Sequence, residues 1–281
     1  MISSVMLIGC AHPSAIPPAS SAASPWTAAE QARLEALLPA DALLLGEQHD
    51  APEHHELERQ VIDWLAGSGT LAAVAMEMVS RGKDTRGLPR DAGASAVRAA
   101  LAWDDAGWPW DTYGPVVMAA VKAGVPVLGA NLPKEQQRTA MQDGSLEKRL
   151  TPAAMSTQLQ RIRDGHCGLL PETQMHPMAR VQVARDLSMA RAVADALQPG
   201  RTVLLIAGNG HVERTLGVPV HLPSRTRVKV ISARAGEQAS ATPGTAADVV
   251  WATPPAPPKD YCADVKRTAP SPSGRAAEQR R

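Results

Sequence analysis

The chain has 281 residues, and 29 lysines and arginines against 28 aspartates and glutamates give a formal net charge of +1 at pH 7. A chain of this length can bury roughly three quarters of its unfolded surface. Its 44% hydrophobic and 20% charged residues are typical of a globular protein rather than a disordered one. The balanced charge argues against nucleic acid as a partner, and no apolar run approaches the ~18 residues that span a bilayer.

The N-terminus is a short apolar segment that ends in Cys10. Residues 7–10 (Leu-Ile-Gly-Cys) have the form of a bacterial lipobox, in which the cysteine is lipidated, although the basic and apolar regions of a full signal peptide are missing or shortened. An ordinary apolar N-terminus is the alternative. We interpret residues 1–10 as a lipoprotein signal remnant and residues 11–30, rich in Pro, Ser and Ala, as a flexible tether.

Short apolar runs bounded by turn residues predict buried strands, and helical patterns alternate with them. Runs that are apolar throughout are typical of a sheet covered on both faces. The alternation predicts an α/β fold with a mostly parallel sheet flanked by helices. The predicted strands are residues 42–46, 72–76, 125–129, 202–208 and 227–231, and the predicted helices among them are residues 52–66 and 113–123.

Residues 134–198 break this alternation, because they contain no convincing strand. Helical spacing over residues 151–163 and 178–197 predicts a smaller helical subdomain inserted into the α/β domain. The domain is expected to span residues 31–262, and residues 263–281 are predicted to form a disordered tail.

The three cysteines bear on the cellular compartment. If Cys10 carries lipid, Cys167 and Cys262 remain as a possible disulfide pair in an oxidising compartment. Buried free thiols are the alternative.

Polar residues cluster where three predicted strands end. Glu47 and His49 follow the first strand, Glu77 ends the second, and His211 follows the fourth. Because the carboxyl ends of strands meet at the ligand crevice of an open α/β sheet, we expect these side chains to converge. Glu and His transfer protons and bind metals. The alternative is that each group only caps a helix or satisfies loop backbone.

Other motifs are weaker. His54 and His55 lie in the first predicted helix, where at least one is expected to face solvent, and their spacing is not that of a helical zinc motif. The glycine-rich segments match neither a phosphate-binding fingerprint nor a nucleophile elbow, which disfavours nucleotide-binding and serine-hydrolase functions.

Further motifs follow one another in order between residues 40 and 262. The first is Leu-Leu-Leu-Gly-Glu-Gln-His-Asp at residues 43–50 with Pro52 and His54-His55 after it. The others are Glu77-Met78, Trp103 to Trp110 with Tyr113, residues 129–133, His166-Cys167-Gly168, Arg185-Asp186 with Met189-Ala190, and residues 206–211, 217–219 and 248–253. In this order they resemble the ChaN family of haem-binding lipoproteins, within the wider Tiki/TraB and erythromycin-esterase-like superfamily.

The resemblance implies a haem-binding lipoprotein of haem or iron uptake. Such a protein is expected in the bacterial cell envelope, anchored to the membrane through lipidated Cys10 and facing the periplasm, with an envelope transport system as partner. Haem as the cofactor requires an axial donor, and Tyr113, His49 and His211 are the candidates. Tyr113 follows a Trp-rich stretch whose flat rings suit a porphyrin. A homodimer holding a flat ligand between two copies is compatible with the sequence.

The same superfamily also suggests a metal-dependent hydrolase, since Tiki-like proteases carry a Gly-x-x-His motif that residues 46–49 and 208–211 both match. In this alternative His49, His211 and a carboxylate from Glu77 or Glu47 hold a divalent metal. The remaining glutamate then acts as the general base of a peptidase or esterase.

Overall fold

The structure is a computed structural model that describes residues 26–236 and 247–263. Its strands are β1 (Ala42–Glu47), β2 (Leu71–Ser80), β3 (Val127–Asn131), β4 (Thr202–Gly208), β5 (Val228–Ala235) and β6 (Val249–Thr253). They form one sheet in the order β3-β2-β4-β1-β5-β6, and every neighbouring pair is parallel. The predicted α/β class with a mostly parallel sheet is therefore confirmed.

The helices cover both faces of this sheet. They are α1 (Ala28–Glu35), α2 (Pro52–Gly67), α3 (Ala94–Leu101), α4 (Trp110–Ala123), α5 (Gln137–Gln142), α6 (Pro152–Gly165) and α7 (Glu172–Ala196). Successive strand residues point to opposite faces. Accordingly Leu43 and Leu45 of β1 pack in the core under α2, α3 and α4, whereas Leu44 packs in the core under α7. Within the described residues, no helix has the length and apolar character needed to cross a bilayer.

A group of helices separates β3 from β4, where the sequence predicts an inserted helical subdomain. Residues 132–201, all of them described, contain no strand. Helices α5 and α6 and the first half of α7 enclose a small core of their own, which includes Met155, Ile162 and Met175. The second half of α7 buries Met189 and Val193 against the sheet, so this helix belongs to both parts.

The predicted tether reaches too far along the chain. Helix α1 begins at Ala28 because Thr27 and Glu30 form a capping box, in which each side chain accepts a hydrogen bond from the other residue's backbone N–H. Trp26 is also buried, and its ring packs 5.2 Å from that of Trp251. Assigning residues 26–30 to the tether is therefore wrong. The signal remnant with Cys10, residues 11–25 and residues 264–281 lie outside the described residues.

Candidate functional site

The carboxyl ends of the central strands form the candidate site. Glu47 ends β1 and lies in register with Gly208, which ends β4. From β1 the chain passes to β2 and then to the outer strand β3, with the connecting helices on one face of the sheet. Helix α7 on the other face then brings the chain back to the sheet centre at β4, between β2 and β1. Strands β5 and β6 follow on the opposite side of β1. Such a switch of direction opens a crevice between neighbouring strand ends, where α/β sheets bind ligands.

The four residues chosen at the strand ends lie together in this crevice. His49 donates a hydrogen bond from Nδ1 to Glu47 Oε1 at 2.8 Å. His49 Nε2 lies 4.0 Å from Glu77 Oε2, and His211 Nε2 lies 3.5 Å from Glu77 Oε1. Glu77 is not at the end of its strand, however, since β2 continues to Ser80 through an irregularity in its pairing with β3.

Glu77 is the centre of a buried charge network. Its side chain is 2% exposed and accepts hydrogen bonds from Arg185 Nη2 at 2.5 Å and from the Gly208 backbone N–H at 2.8 Å. Burial alone would raise the pKa of Glu77, but the positive charges of His211, Arg185 and His49 hold it far below its usual value. Glu77 is therefore a carboxylate whose two oxygens are already engaged.

His211 lies between two buried carboxylates. Its Nδ1–H donates to Asp186 Oδ1 at 2.6 Å, and its Nε2 faces Glu77. Burial would lower the pKa of His211, yet the charges of Glu77 and Asp186 raise it to about 10. His211 is accordingly an imidazolium at neutral pH, and it bridges the two carboxylates.

This raised pKa predicts a pH-dependent contribution to stability. The His211 charge stabilises the folded state fully below the ordinary histidine pKa of 6.5, and that contribution is lost as the pH rises through about 10. We expect the difference in unfolding free energy between the wild type and His211→Gln to shrink steadily from pH 7 to pH 10. Urea unfolding at each pH measures this difference. A difference that does not change with pH would contradict the assignment.

A second cluster surrounds Glu47. Besides His49, the Tyr113 hydroxyl donates to Glu47 Oε1 at 2.9 Å, and His55 Nε2 lies 3.1 Å from Glu47 Oε2. Burial would raise the pKa of Glu47, but the hydrogen bond from His49 and the neighbouring His49 and His55 imidazoles lower it to about 2. Burial and the neighbouring Glu47 charge raise the pKa of the fully buried Glu58 carboxyl well above its usual value.

Tyr113 is a core residue of this second cluster. Its side chain is 1% exposed, and its ring packs 4.7 Å from the His55 ring and 5.6 Å from the Trp108 ring. Helix α4 begins at Trp110 rather than at Tyr113, which places Tyr113 inside the first turn. Burial and the Glu47 charge raise the pKa of Tyr113. The arrangement therefore disfavours the phenolate that an axial ligand needs.

The expectation that His54 or His55 faces solvent is wrong. Both are buried, because they lie on the face of α2 that packs in the core together with Leu57. This helix follows residues 48–51, the loop after β1, which we call the site loop. His54 Nδ1 accepts a hydrogen bond from the Gln48 backbone N–H at 2.9 Å, and His54 Nε2 lies 3.0 Å from Thr253 Oγ1. His54 thus shapes the site loop, while His55 contacts Glu47.

His49 differs from its neighbours in being open to solvent. Its side chain is 42% exposed, and its ring meets the Trp108 ring edge-on at 4.9 Å. Gly208 allows this position, because a Cβ at Gly208 would lie only 3.0 Å from His49 Nε2. The hydrogen bond to Glu47 fixes the ring through Nδ1, which is the usual way in which a carboxylate orients a metal-ligating histidine.

The C-terminal part of the domain borders the same edge. Cys167 and Cys262 form a disulfide bond, and the Tyr261 hydroxyl donates a hydrogen bond to Asp50. Residues 254–262, which we call the C-terminal strap, therefore run from the end of β6 past the site loop to the loop between α6 and α7.

Four charged or titratable residues of the site were not chosen from the sequence as site residues. His55 and Glu58 lie three residues apart on the buried face of α2, a spacing that marks one side of a helix. Arg185 and Asp186 belong to one of the segments that resemble the ChaN family, but their places in a long helix carry no local sign of a site. The four missed residues are His55, Glu58, Arg185 and Asp186.

The donor geometry does not favour the metal-dependent hydrolase. His211 carries a proton between its two carboxylates, and Glu77 already binds Arg185 and the Gly208 N–H. In residues 26–236 and 247–263, no group of three or more His, Cys, Asp or Glu side chains is arranged to hold a metal ion.

Comparison with solved structures shows a likeness in fold. The structure titled "Cofacial heme binding to ChaN of Campylobacter jejuni" is 25% identical in sequence, covers 74% of this chain and 86% of its own, and has a TM-score of 0.61. The type III effector HopBA1 also matches, with 18% identity, coverage of 71% of this chain and 81% of that chain, and a TM-score of 0.37. A Bacillus cereus protein matches with 13% identity, coverage of 75% of this chain and 70% of that chain, and a TM-score of 0.39. No curated protein matches the chain significantly.

The sequence itself matches one protein family. That family is described as "Haem-binding uptake, Tiki superfamily, ChaN", and the match extends over residues 33–222, which include all four strand-end residues and Tyr113. The chain belongs to this ChaN family of haem-binding uptake proteins.

Proposed function

We propose that the protein is a haem-binding lipoprotein that takes part in haem or iron uptake. Its family and the Campylobacter jejuni relative, whose title names cofacial haem binding, support haem as the ligand. The observation that carries the proposal within this chain is His49, a half-exposed imidazole at the strand-end crevice that Glu47 holds through Nδ1.

The residues at this opening fit haem. An axial donor must reach solvent, and His49 does so, whereas Tyr113 is buried and His211 lies between two carboxylates. The Trp108 ring beside His49 offers a flat apolar surface for a porphyrin. Haem would supply an iron centre that accepts one axial nitrogen. We therefore propose His49 as the axial donor, with Glu47 orienting its ring.

We further propose the periplasmic side of the bacterial envelope as the location, with Cys10 as the lipid anchor. The lipobox-like residues 7–10 support the anchor, and the Cys167–Cys262 disulfide is consistent with an oxidising compartment. Two copies holding haem between them would agree with the word "cofacial" in the relative's title. An envelope transport system is the expected partner.

A haem titration followed by absorbance tests the ligand. We expect saturable binding by the wild type and at least tenfold weaker binding by His49→Ala, since one axial bond is lost. Tyr113→Phe and Tyr261→Phe examine the two tyrosines of the chain. His176→Ala is the matched control, because its half-exposed side chain lies on α7 beside Glu147, away from the crevice.

Two results would contradict the proposal. A wild type without saturable binding would reject haem as the ligand. Normal binding by His49→Ala together with weak binding by a tyrosine variant would reject His49 as the donor. Mass spectrometry of the membrane-extracted protein tests lipidation of Cys10 separately.

A further inference from the structure

A large cavity lies away from the strand-end crevice, between α7 and the outer strand β3. Its volume is about 750 Å³, within the roughly 300–1,000 Å³ of pockets that bind small molecules. Leu128 of β3, Leu132 and Leu146 from the segment that follows, and Leu187 of α7 form an apolar wall. The cavity therefore suits a ligand with an apolar body.

A buried hydroxyl in this cavity lacks a partner. Ser188 of α7 is one of the residues that line the cavity and is 4% exposed, and its buried Oγ has no hydrogen-bond partner among the residues that the structure describes. A buried polar group left unpaired destabilises the folded state. A ligand with a polar head would relieve this cost.

Positive side chains border the same cavity. Arg81 and Arg86 are paired with Asp195 and Asp84 respectively. The two remaining cations, Lys83 and Arg191, have no ion-pair partner in the described part of the chain and are exposed. They are thus available to a negatively charged group.

We propose that this cavity binds a small amphipathic anion, a carboxylate on an apolar body. The apolar body contacts the leucine wall, the carboxylate lies between Lys83 and Arg191, and Ser188 donates its free hydroxyl. This site is independent of the proposed haem site, since its lining includes none of Glu47, His49, Glu77 or His211. The protein thereby has a second binding function.

Isothermal titration with dodecanoate tests this site on the intact chain. We expect saturable binding of one molecule by the wild type. Lys83→Glu/Arg191→Glu is expected to bind at least tenfold more weakly, and Ser188→Ala about three- to tenfold more weakly. The matched control is Lys122→Glu/Arg225→Glu, which changes charge equally at two exposed positions outside the cavity.

Two further variants locate the bound molecule. Thr139→Trp places a large ring over the cavity from an exposed position of α5, so it is expected to block dodecanoate while the circular dichroism spectrum stays unchanged. His49→Ala is expected to bind dodecanoate normally. The proposal is overturned if the wild type shows no saturable heat, if the Lys83/Arg191 variant binds like the control, or if His49→Ala alone abolishes binding.

Discussion

Replacement of Arg185 by Met is expected to lower the free energy of unfolding by about 3–5 kcal/mol, because it leaves the buried Glu77 carboxylate without its guanidinium partner. Arg185 also donates from Nε to Asn131 Oδ1 at 3.0 Å, and Asn131 Nδ2 donates to the Glu77 carbonyl oxygen at 2.8 Å. One substitution therefore loosens β2, β3 and α7 together. Urea unfolding at pH 7 measures the loss.

Two companion variants test whether the loss of stability comes from the unpaired Glu77 carboxylate. Arg185→Met/Glu77→Gln removes both charges and is expected to recover part of the lost stability, since the cost comes from the unpaired carboxylate rather than from the missing pair. Arg59→Met is the control, because Arg59 pairs with Glu56 and Asp63 at the surface, where such pairs contribute about 1 kcal/mol or less. Equal losses for Arg185→Met and Arg59→Met would contradict the buried network.

Removal of the disulfide is expected to lower the free energy of unfolding by about 4 kcal/mol. The bond joins Cys167 and Cys262, which are 95 residues apart, and closing a loop of this length strongly restricts the unfolded chain. We expect the same loss in Cys167→Ser/Cys262→Ser and in the wild type unfolded under a reducing agent. Urea unfolding with and without the reducing agent compares them.

The C-terminal strap gives an independent readout of the same bond. Without it, the strap loses its covalent tie to the loop between α6 and α7, and the Tyr261–Asp50 hydrogen bond still holds its end to the site loop. Limited proteolysis is therefore expected to cleave within residues 254–262 faster in the double serine variant. Unchanged proteolysis and unchanged unfolding would together show that the disulfide constrains neither the strap nor the unfolded chain.

Much of the fold can be predicted from the sequence because buried parallel strands are apolar throughout. The runs around Leu44 and Leu205 mark β1 and β4 for this reason, since both strands are buried along their whole length. The order of strands is not encoded locally. It depends on α7 returning the chain to the sheet centre between β1 and β2, which a helical pattern by itself does not indicate.

The site is only partly predictable, because some of its residues come from strand ends and others from the packing of a helix. Strand ends bring Glu47, His49 and His211 into one crevice, and this follows from topology once the strands are known. The role of Asp186 depends instead on how α7 packs across the sheet. Tyr113 is the opposite case. Its place beside a Trp-rich stretch predicts an axial haem ligand, but helix α4 buries its hydroxyl against Glu47.

The sharing of one carboxylate by several elements has an evolutionary consequence. Glu77 binds Arg185 and the Gly208 N–H and faces His211, so a change at any one of these positions alone disturbs the others. Substitutions at Glu77, Arg185 and His211 are therefore expected to be inherited jointly, with lineages that lose Arg185 also replacing the acid. Selection for folding alone would preserve this trio, whereas the half-exposed His49 would be preserved by selection for ligand binding.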